Sequence, residues 1–561
     1  MPVDYTYAKD TVAPASLRSE LPEISPVCLD ILYRRGIRTK QEISDFLMPD
    51  ASILTKQYNF QDADKACARI KTAIEQKEEM VVYQDYDVDG VCAGAIMVEV
   101  ITALGGKITP YANARSTGYG ICSYGLEEIK KLYPQAALVI TVDNGIVAHE
   151  AIRQAIDMGY EVIVTDHHEP GEMLPDCTAV VDAKRKDEMY PYRQFCGAGL
   201  AFKLMLLLCG MMHKPLEIAL KTIDIAALAT VADIVPLTGE NRVLVKEGMR
   251  VIEKADRPFF AEIRRLTNTK QVSAHQTIGY TYAPMINALS RMHRSALIAT
   301  NALLCTDPAQ VSEAVVEMKE VNEERREKTK EATLLCMSLL ENEPITSAVV
   351  IQHEDIDEGI VGIVAGKLKD EYNRPTIVFS LDENGDLRGS CRSIPAVPIK
   401  EALDTLAKQG LILTHGGHQL AAGVTIRKED FDRFKAAFID LSAEMMKDKN
   451  LEESRVIDYV FDGKDLTVET IQELRMLEPF GEGNPLPRYG LRTTVDEVSF
   501  VGQDQCHVKY MDRTNGITII HWHGGEAARQ NGSKKKTKFV GYPELNYFRD
   551  QVSVQFIDED R

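Results

Sequence analysis

Met80–Gly90 reads MVVYQDYDVDG, an apolar run that ends in three aspartates, Asp85, Asp87 and Asp89, at alternate positions. Residues 80–84 have the β-branched and aromatic composition of a buried strand. A carboxylate just past such a strand lies on the rim where open parallel sheets bind ligands. Outward from this stretch the arrangement recurs: ITPY at 108–111, ALVITV before Asp143, EVIVT before Asp166 and TAVVDA from Thr178 are all short strand-like runs. Helix-favouring segments separate them, and this alternation predicts a parallel α/β sheet.

Residues 197–254 read as helical, and a charged stretch from about 308 to 343 predicts one long connecting helix. A second set of strand and helix signals runs from SAVVIQ through GIVGIVAGKL, PTIVFS and AAGVTI to about residue 447, and predicts a smaller α/β domain. The last hundred residues change to short alternating strands with many turn residues, the pattern of a small β-barrel such as an OB-fold. The expected division is an N-terminal helical segment 1–60, then 61–305, a connecting helix 306–343, 344–450 and 451–561.

Several function classes are disfavoured by composition. No run of about 18 uncharged apolar residues suits a membrane span, and MPVDYTYAKDTVAP lacks a basic segment followed by an apolar one, so a cytoplasmic location is expected. Eleven cysteines without a C-x-x-C pair fit neither a disulfide framework nor a zinc ribbon, and free thiols are expected. The formal net charge of −19 opposes nonspecific coating of a polyanion. It leaves room for a local basic track, and cation-binding carboxylates would add to the negative total. The basic run Lys534, Lys535, Lys536 and Lys538 is short.

Four places carry candidate chemistry. Asp85, Asp87 and Asp89 would point to one side if the chain stayed extended, and would repel one another unless cations lay between them. Such hard oxygen donors suit Mg²⁺ or Mn²⁺, although a solvated acidic turn is the alternative. Asp143 in TVDNGI stands at the end of another apolar strand, where an ordinary Asn-Gly turn is the plainer reading. IVTDHHEP adds Asp166, His167 and His168, of which one histidine could ligate a metal while the carboxylate orients the pair. Asp233 in TVADIVPL stands where an apolar helix stops. The first three fall at the carboxyl ends of successive predicted strands; together the clusters supply enough ligands for two ions, and two-metal sites hydrolyse phosphodiesters.

Competing chemistries lack their motifs. The chain has no G-x-S-x-G elbow, GIVGIVAGKL is not a P-loop, and GAGLAF at Gly197 breaks the dinucleotide fingerprint.

The ordered set DYDVDG, VDNG, TDHH and VADIVPL resembles the signature motifs of the DHH phosphoesterase superfamily, and the spelling DYDVDG resembles its RecJ family. Further similar strings follow in order: GYG at Gly118, CGAGLAFKL, NALSRM at Asn287, GIVGIVAGKL, GSCRSIP, GGHQLAAG and LEPFGEGNP. The resemblance spans roughly 60 to 550 and implies a parallel-sheet DHH domain, a connecting helix, a smaller α/β DHH-associated domain and a C-terminal OB-like β-barrel. It implies two Mn²⁺ or Mg²⁺ ions held by Asp87, Asp89, Asp143, His167 and Asp233, with Asp143 bridging and Asp85 as an added ligand. His168 would meet the phosphate or the leaving group, supported by Asp166. Asn287, Arg291, Ser390, Arg392, Ser393, Gly416, Gly417 and His418 would hold the nucleic-acid backbone, in a cleft between the two α/β domains.

The implied activity is a 5′→3′ exonuclease on single-stranded DNA, releasing 5′ mononucleotides in repair and recombination, with a helicase and a single-strand-binding protein as partners and no membrane. A DHH phosphodiesterase for short oligonucleotides is the enzymatic alternative, and a catalytically inactive nucleic-acid scaffold the other. Both fit less well, since the former lacks the OB-like extension and the latter would have damaged metal motifs. Tyr83 stands where many DHH relatives have histidine, as in other RecJ-like sequences, and three departures stand out: Gln84 for a glycine, Ser290 for a glycine before Arg291, and Asp182-Ala183 for Asn-Pro. Residues 455–561 carry 14 Lys+Arg against 17 Asp+Glu, so no basic excess marks that region. There Trp522 could track a strand, but a core position is favoured.

Overall fold

All five predicted strands of the first α/β region form in the computed structural model: β1 (Glu79–Gln84), β2 (Lys107–Ala112), β3 (Ala136–Val142), β4 (Glu161–Asp166) and β5 (Ala179–Asp182). The structure describes all residues except 1–3, 8–11, 57–58, 342–344, 383–384, 450, 452–453, 503, 531–536, 549–550 and 560–561. Lys534, Lys535 and Lys536 of the basic run thus lie outside the described residues.

The five strands pair in parallel in the order β2-β1-β3-β4-β5. The chain leaves β1 toward β2 and returns to the opposite side at β3, so strand order reverses between β1 and β3. That reversal opens a crevice at the strand carboxyl ends, where ligands bind in doubly wound sheets. One face of the sheet buries Val81, Tyr83, Val139, Val162 and Val164 against Leu126, Ile129 and Ile152. Helices α1 (Val88–Ala103), α2 (Gly197–Met211) and α3 (Ile223–Ala232) are buried around most of their circumference, as expected of helices without a polar face.

The connecting helix is present as α4 (Pro308–Leu340), 33 residues long and N-capped by Asp307, whose side chain accepts from Ala309 N. Beyond it β6 (Val349–Gln352), helix α5 (Val361–Tyr372), β7 (Thr376–Leu381), β8 (Leu387–Arg392), β9 (Thr414–Gly417) and β10 (Ala421–Ile426) build a sheet ordered β9-β10-β8-β7-β6. Only β6 and β7 are parallel. Strands β8 and β9 escape the sequence reading because LRGSCR and THGG hold almost no β-branched residues.

These regions belong to one unit, Leu54–Val235 with Gly239–Leu451. A second unit joins Met1–Ile53 and Pro236–Thr238 to Glu452–Arg561. In it Leu29, Ile31 and Leu32 of an N-terminal helix share a core with Phe461, Leu491, Phe539 and Phe556 of the C-terminal sheet. That sheet has seven strands: β11 (Tyr459–Asp462), β12 (Tyr489–Arg492), β13 (Glu497–Val501), β14 (His507–Asp512), β15 (Ile517–His521), β16 (Lys538–Phe548) and β17 (Gln551–Asp558). Their order is β11-β12-β16-β17-β15-β14-β13, and no pairing joins the edge strands β11 and β13 among the described residues. Trp522 is 49% exposed rather than core, because it follows β15 into a turn while Phe539 and Phe556 fill the interior. Every cysteine is free, and no helix among the described residues is long and apolar enough to cross a membrane.

Candidate metal centre

The chain does not stay extended through all three aspartates of the first motif. Asp87 instead N-caps α1, its side chain accepting from Asp89 N at 2.9 Å and Gly90 N at 3.2 Å. Asp85 therefore ends the strand, Asp87 stands at the corner and Asp89 lies in the first helical turn. Gly90 is required there, since a Cβ would meet Asp85 N and O at 2.6 Å. Asp89 accepts from Gly197 N at 2.5 Å and Ala198 N at 2.8 Å, so its carboxylate sits on the positive end of α2.

Asp143 follows β3 with a φ of +62°, a left-handed conformation that aspartate tolerates better than most side chains. Asn144 clamps this turn: its amide donates to Tyr83 O and Val142 O, and its carbonyl accepts from Ile121 N. Asp166, at the end of β4, accepts from Ile146 N, from His167 N and from His168 N, and its Oδ1 lies 2.7 Å from His168 Nδ1. Asp233 follows the last turn of α3.

These separate elements bring the donors together. His167 Nε2 stands 3.0 Å from Asp143 Oδ1, 3.6 Å from Asp89 Oδ2 and 3.7 Å from Asp233 Oδ2. Donor atoms within 4.8 Å of one another form three overlapping sets: Asp85, Asp87 and Asp143; Asp89, His167 and Asp233; and Asp143, His167 and His168. Asp85 Oδ1, Asp143 Oδ1 and His167 Nε2 are buried without a hydrogen-bond partner. A buried polar atom left unmet costs about 1–3 kcal/mol, more if charged, and cations placed in the overlapping sets would satisfy these atoms. The donor set fits a divalent metal.

The electrostatics agree. Burial, then the neighbouring carboxylates, push Asp85 and Asp143 well above the usual carboxylate range. Burial raises Asp89 against the opposing pull of His167, and raises Asp233 to about 9, with Asp89 and Asp87 adding to it. Burial also lowers His167, which favours a neutral imidazole with a lone pair to give. His168 behaves oppositely: burial works against its charge, but the hydrogen bond and charge of Asp166 raise it overall.

The residues expected to hold nucleic acid separate into two groups. Arg291 Nη1 donates to Gly359 O at 3.1 Å, and burial together with Arg115, Arg325 and Arg392 lowers it to about 10. The charge of Asp87 pulls Arg291 the other way. Ser390 and Arg392 lie on β8, where Arg392 Nη1 donates to Ser390 Oγ. Gly416 and Gly417 form the exposed edge strand β9 and His418 follows it, also exposed. Gly417 has a φ of +142°, and a Cβ there would meet Ala421 O at 2.5 Å. Asn287 and Ser393 instead make internal bonds: Asn287 Oδ1 accepts from Val88 N at 3.2 Å, and Ser393 Oγ donates to Val397 O at 2.5 Å.

Tyr83 points into the sheet core and donates to Asn113 Oδ1, away from the carboxylates. Gln84 is accommodated by Gly94, where a Cβ would overlap Gln84 Oε1, and by Thr300, which bonds its amide. Ser290 is buried, its Oγ 3.4 Å from Asn287 O. Asp182 is buried with one oxygen unmet.

Besides Arg325, Tyr119 and Arg115 escaped the sequence reading. Tyr119 OH donates to Asp143 O at 2.7 Å and lies 3.2 Å from His168 Nδ1. Arg115 stacks over the Tyr86 ring at 5.2 Å. Tyr119 stands within the GYG string, but nothing local in that string points to Asp143.

Comparison with known proteins places this geometry. Residues 79–230 match the DHH family, N-terminal domain, 342–444 the DHHA1 domain and 457–560 the RecJ OB domain. The chain is similar to the single-stranded-DNA-specific exonuclease RecJ of Bacillus subtilis (strain 168), 31% identical over 553 residues, with 97% of this chain and 69% of that one covered. A crystal structure of RecJ in complex with Mn²⁺ from Thermus thermophilus superposes with a TM-score of 0.82 at 27% identity, covering 100% of this chain and 79% of that one. The corresponding Mg²⁺ complex gives 0.76 at 26%, covering 100% and 78%.

Proposed function

Because this chain belongs to the RecJ family, we propose that it is a single-stranded-DNA-specific exonuclease that works 5′→3′, releases 5′ mononucleotides by two-metal hydrolysis, and serves DNA repair and recombination. The observation that carries the reading is the shared corner at Asp143, whose unmet Oδ1 faces His167 while its carboxylate also groups with Asp85 and Asp87. Asp85, Asp87 and Asp143 would hold one Mn²⁺ or Mg²⁺; Asp89, Asp143, His167 and Asp233 would hold the other. Bound there, the pair would supply an activated water and charge stabilisation for an in-line displacement.

The chain's own groups do the rest. Asp166 keeps His168 oriented and favours its protonated form, so that His168 can donate to a phosphate oxygen or to the leaving oxygen. Arg291, with Arg392, Arg115 and Arg325 whose charges act on it, would supply local basic contacts despite the net charge of −19. Arginine offers a forked donor to phosphate; Ser390 stands beside Arg392 on β8, and Gly416, Gly417 and His418 would add backbone and side-chain contacts at the exposed edge strand β9 and just after it. Asn287 and Ser393 brace the loops that carry these groups. The domain roles follow: catalysis in 61–305, backbone binding in 344–450 and single-strand contact in 451–561.

The test uses single strands labelled at either end, with Mn²⁺. Immediate release of a 5′-terminal label as mononucleotide, progressive shortening of the 3′-labelled strand and survival of a blunt duplex are expected. Early release from the 3′ end, or cuts in a circular strand, would defeat the polarity while leaving the metal centre standing.

A further inference from the structure

We propose that Cys506, His507 and His523 form a second metal site, in the unit that lacks the carboxylate cluster, and that it takes a borderline cation of the Zn²⁺ class. One donor atom from each residue lies within 4.8 Å of the others. Cys506 Sγ stands 3.5 Å from His507 Nδ1 and 3.6 Å from its Nε2. The His507 and His523 rings lie 4.8 Å apart between centroids. A thiolate and two imidazoles are the donors that Zn²⁺ prefers and that Mg²⁺ and Mn²⁺ do not. The sequence signal is the pair C-H and H-W-H, which carries no C-x-x-C spacing and so escapes a search for zinc ribbons.

Two loops meet here and are held before any cation arrives. Gln505 and His523 both adopt left-handed backbone, with φ of +52° and +61°, which turns each chain at the point of convergence. Gly525 N donates to Cys506 O at 2.9 Å, and Arg529 Nη2 donates to Gln505 O at 2.9 Å. Gly525 permits that approach, since a Cβ there would meet Gln505 O at 2.6 Å. Gly502, with a φ of +96°, would place a Cβ 3.0 Å from the His507 ring. The donors are thus brought together by backbone geometry rather than by long flexible side chains.

Binding requires that the Cys506 thiol give its proton to solvent and that both imidazoles present a lone pair. His507 Nδ1 at present accepts the His523 N–H at 3.0 Å. Ligation through Nδ1 exchanges that bond for the metal and shifts the loop that carries His523. Trp522 lies on this loop, 49% exposed, with its ring centroid 4.8 Å from that of His507. It is the one tryptophan of the chain, so its fluorescence reports the site directly. Three protein ligands leave a fourth position for water or a substrate group.

The experiment titrates the full chain, held in excess Mg²⁺ to occupy the carboxylate cluster, with Zn²⁺ and separately with Co²⁺. Expected are a saturable one-to-one change in Trp522 fluorescence and, for Co²⁺, a thiolate-to-metal charge-transfer band. Cys506→Ser should abolish the band, and both it and His523→Ala should weaken binding by more than about 100-fold, beyond the cost of losing an outer hydrogen bond. Cys506→Ser is nearly isosteric, and an unchanged thermal midpoint without added metal would exclude misfolding as the cause. Absence of both signals in the wild type overturns the proposal. So does a fluorescence response that survives in Cys506→Ser at unchanged affinity.

Discussion

Gly197 lies directly against Asp143: a Cβ built on the glycine would stand 2.7 Å from the Cβ of the aspartate and 3.1 Å from its Cα. The same residue donates its N–H to Asp89. One missing methyl group thus lets the first turn of α2 reach both carboxylates. Gly197→Ala is expected to lower Mn²⁺ affinity and the exonuclease rate by about tenfold or more, roughly the loss that misplacing a ligand's support produces. Calorimetric Mn²⁺ titration and end-labelled strand cleavage check it, and wild-type values in the variant would remove the contact from the site's design.

Asp143→Ala is expected to abolish hydrolysis while leaving single-strand binding largely intact, because the arginine contacts do not depend on that carboxylate. Cleavage and binding measured on the same preparation decide this. Full activity in the variant would take Asp143 out of the metal centre.

Removal of metal should make stability pH-dependent with a definite sign. Asp233 is raised from 3.8 to about 9, and Asp85, Asp89 and Asp143 are raised with it, so the folded chelated protein binds more protons than the unfolded chain. Its stability is therefore fullest below the unfolded value of 3.8, as far as these groups are concerned, and falls as pH rises toward 9. The expected result in chelator is a thermal midpoint that declines across neutral pH, with the decline reversed by Mn²⁺. A chelated midpoint that rises over that range would contradict the electrostatics of the cluster.

Arg392→Ala is expected to weaken single-strand binding and to reduce the slope of log affinity against log salt by about 0.7, the contribution of one phosphate on a single strand. His418→Ala should act in the same direction on affinity. Binding isotherms at several salt concentrations are the measurement, and an unchanged slope would make Arg392 a bystander.

Away from the site, Lys203 Nζ and Glu240 Oε2 form a buried pair at 2.9 Å, with Tyr190 OH also donating to Glu240. Glu240→Gln leaves a buried ammonium without its counter-charge and is expected to destabilise by about 3–5 kcal/mol, whereas replacing both partners with apolar residues of like volume should recover much of that. Denaturant melts of the single and double variants test it.

The strands, the carboxylates at their ends and the long helix were legible in the sequence because each is a local pattern: a β-branched run buries itself wherever it lies, and an aspartate after it can only stand on the rim. The site ligands were legible as residue types for the same reason. Which hydrogen bonds those residues make was not. Asn287 and Ser393 turn inward to Val88 N and Val397 O, and Tyr119 reaches Asp143 O, because partners distant in sequence become neighbours only after packing. Strands β8 and β9 form from LRGSCR and THGG through pairing with β10, not through their own propensity. Trp522 is left outside because Phe539 and Phe556 have filled the interior. The N-terminal helices join a core with residues far along the chain, near Phe461 and Phe556. Sequence by itself determined what each segment would bury and which atoms could bind a cation; tertiary structure alone decided which of those atoms meet, since burial and hydrogen-bond partnership depend on the whole chain.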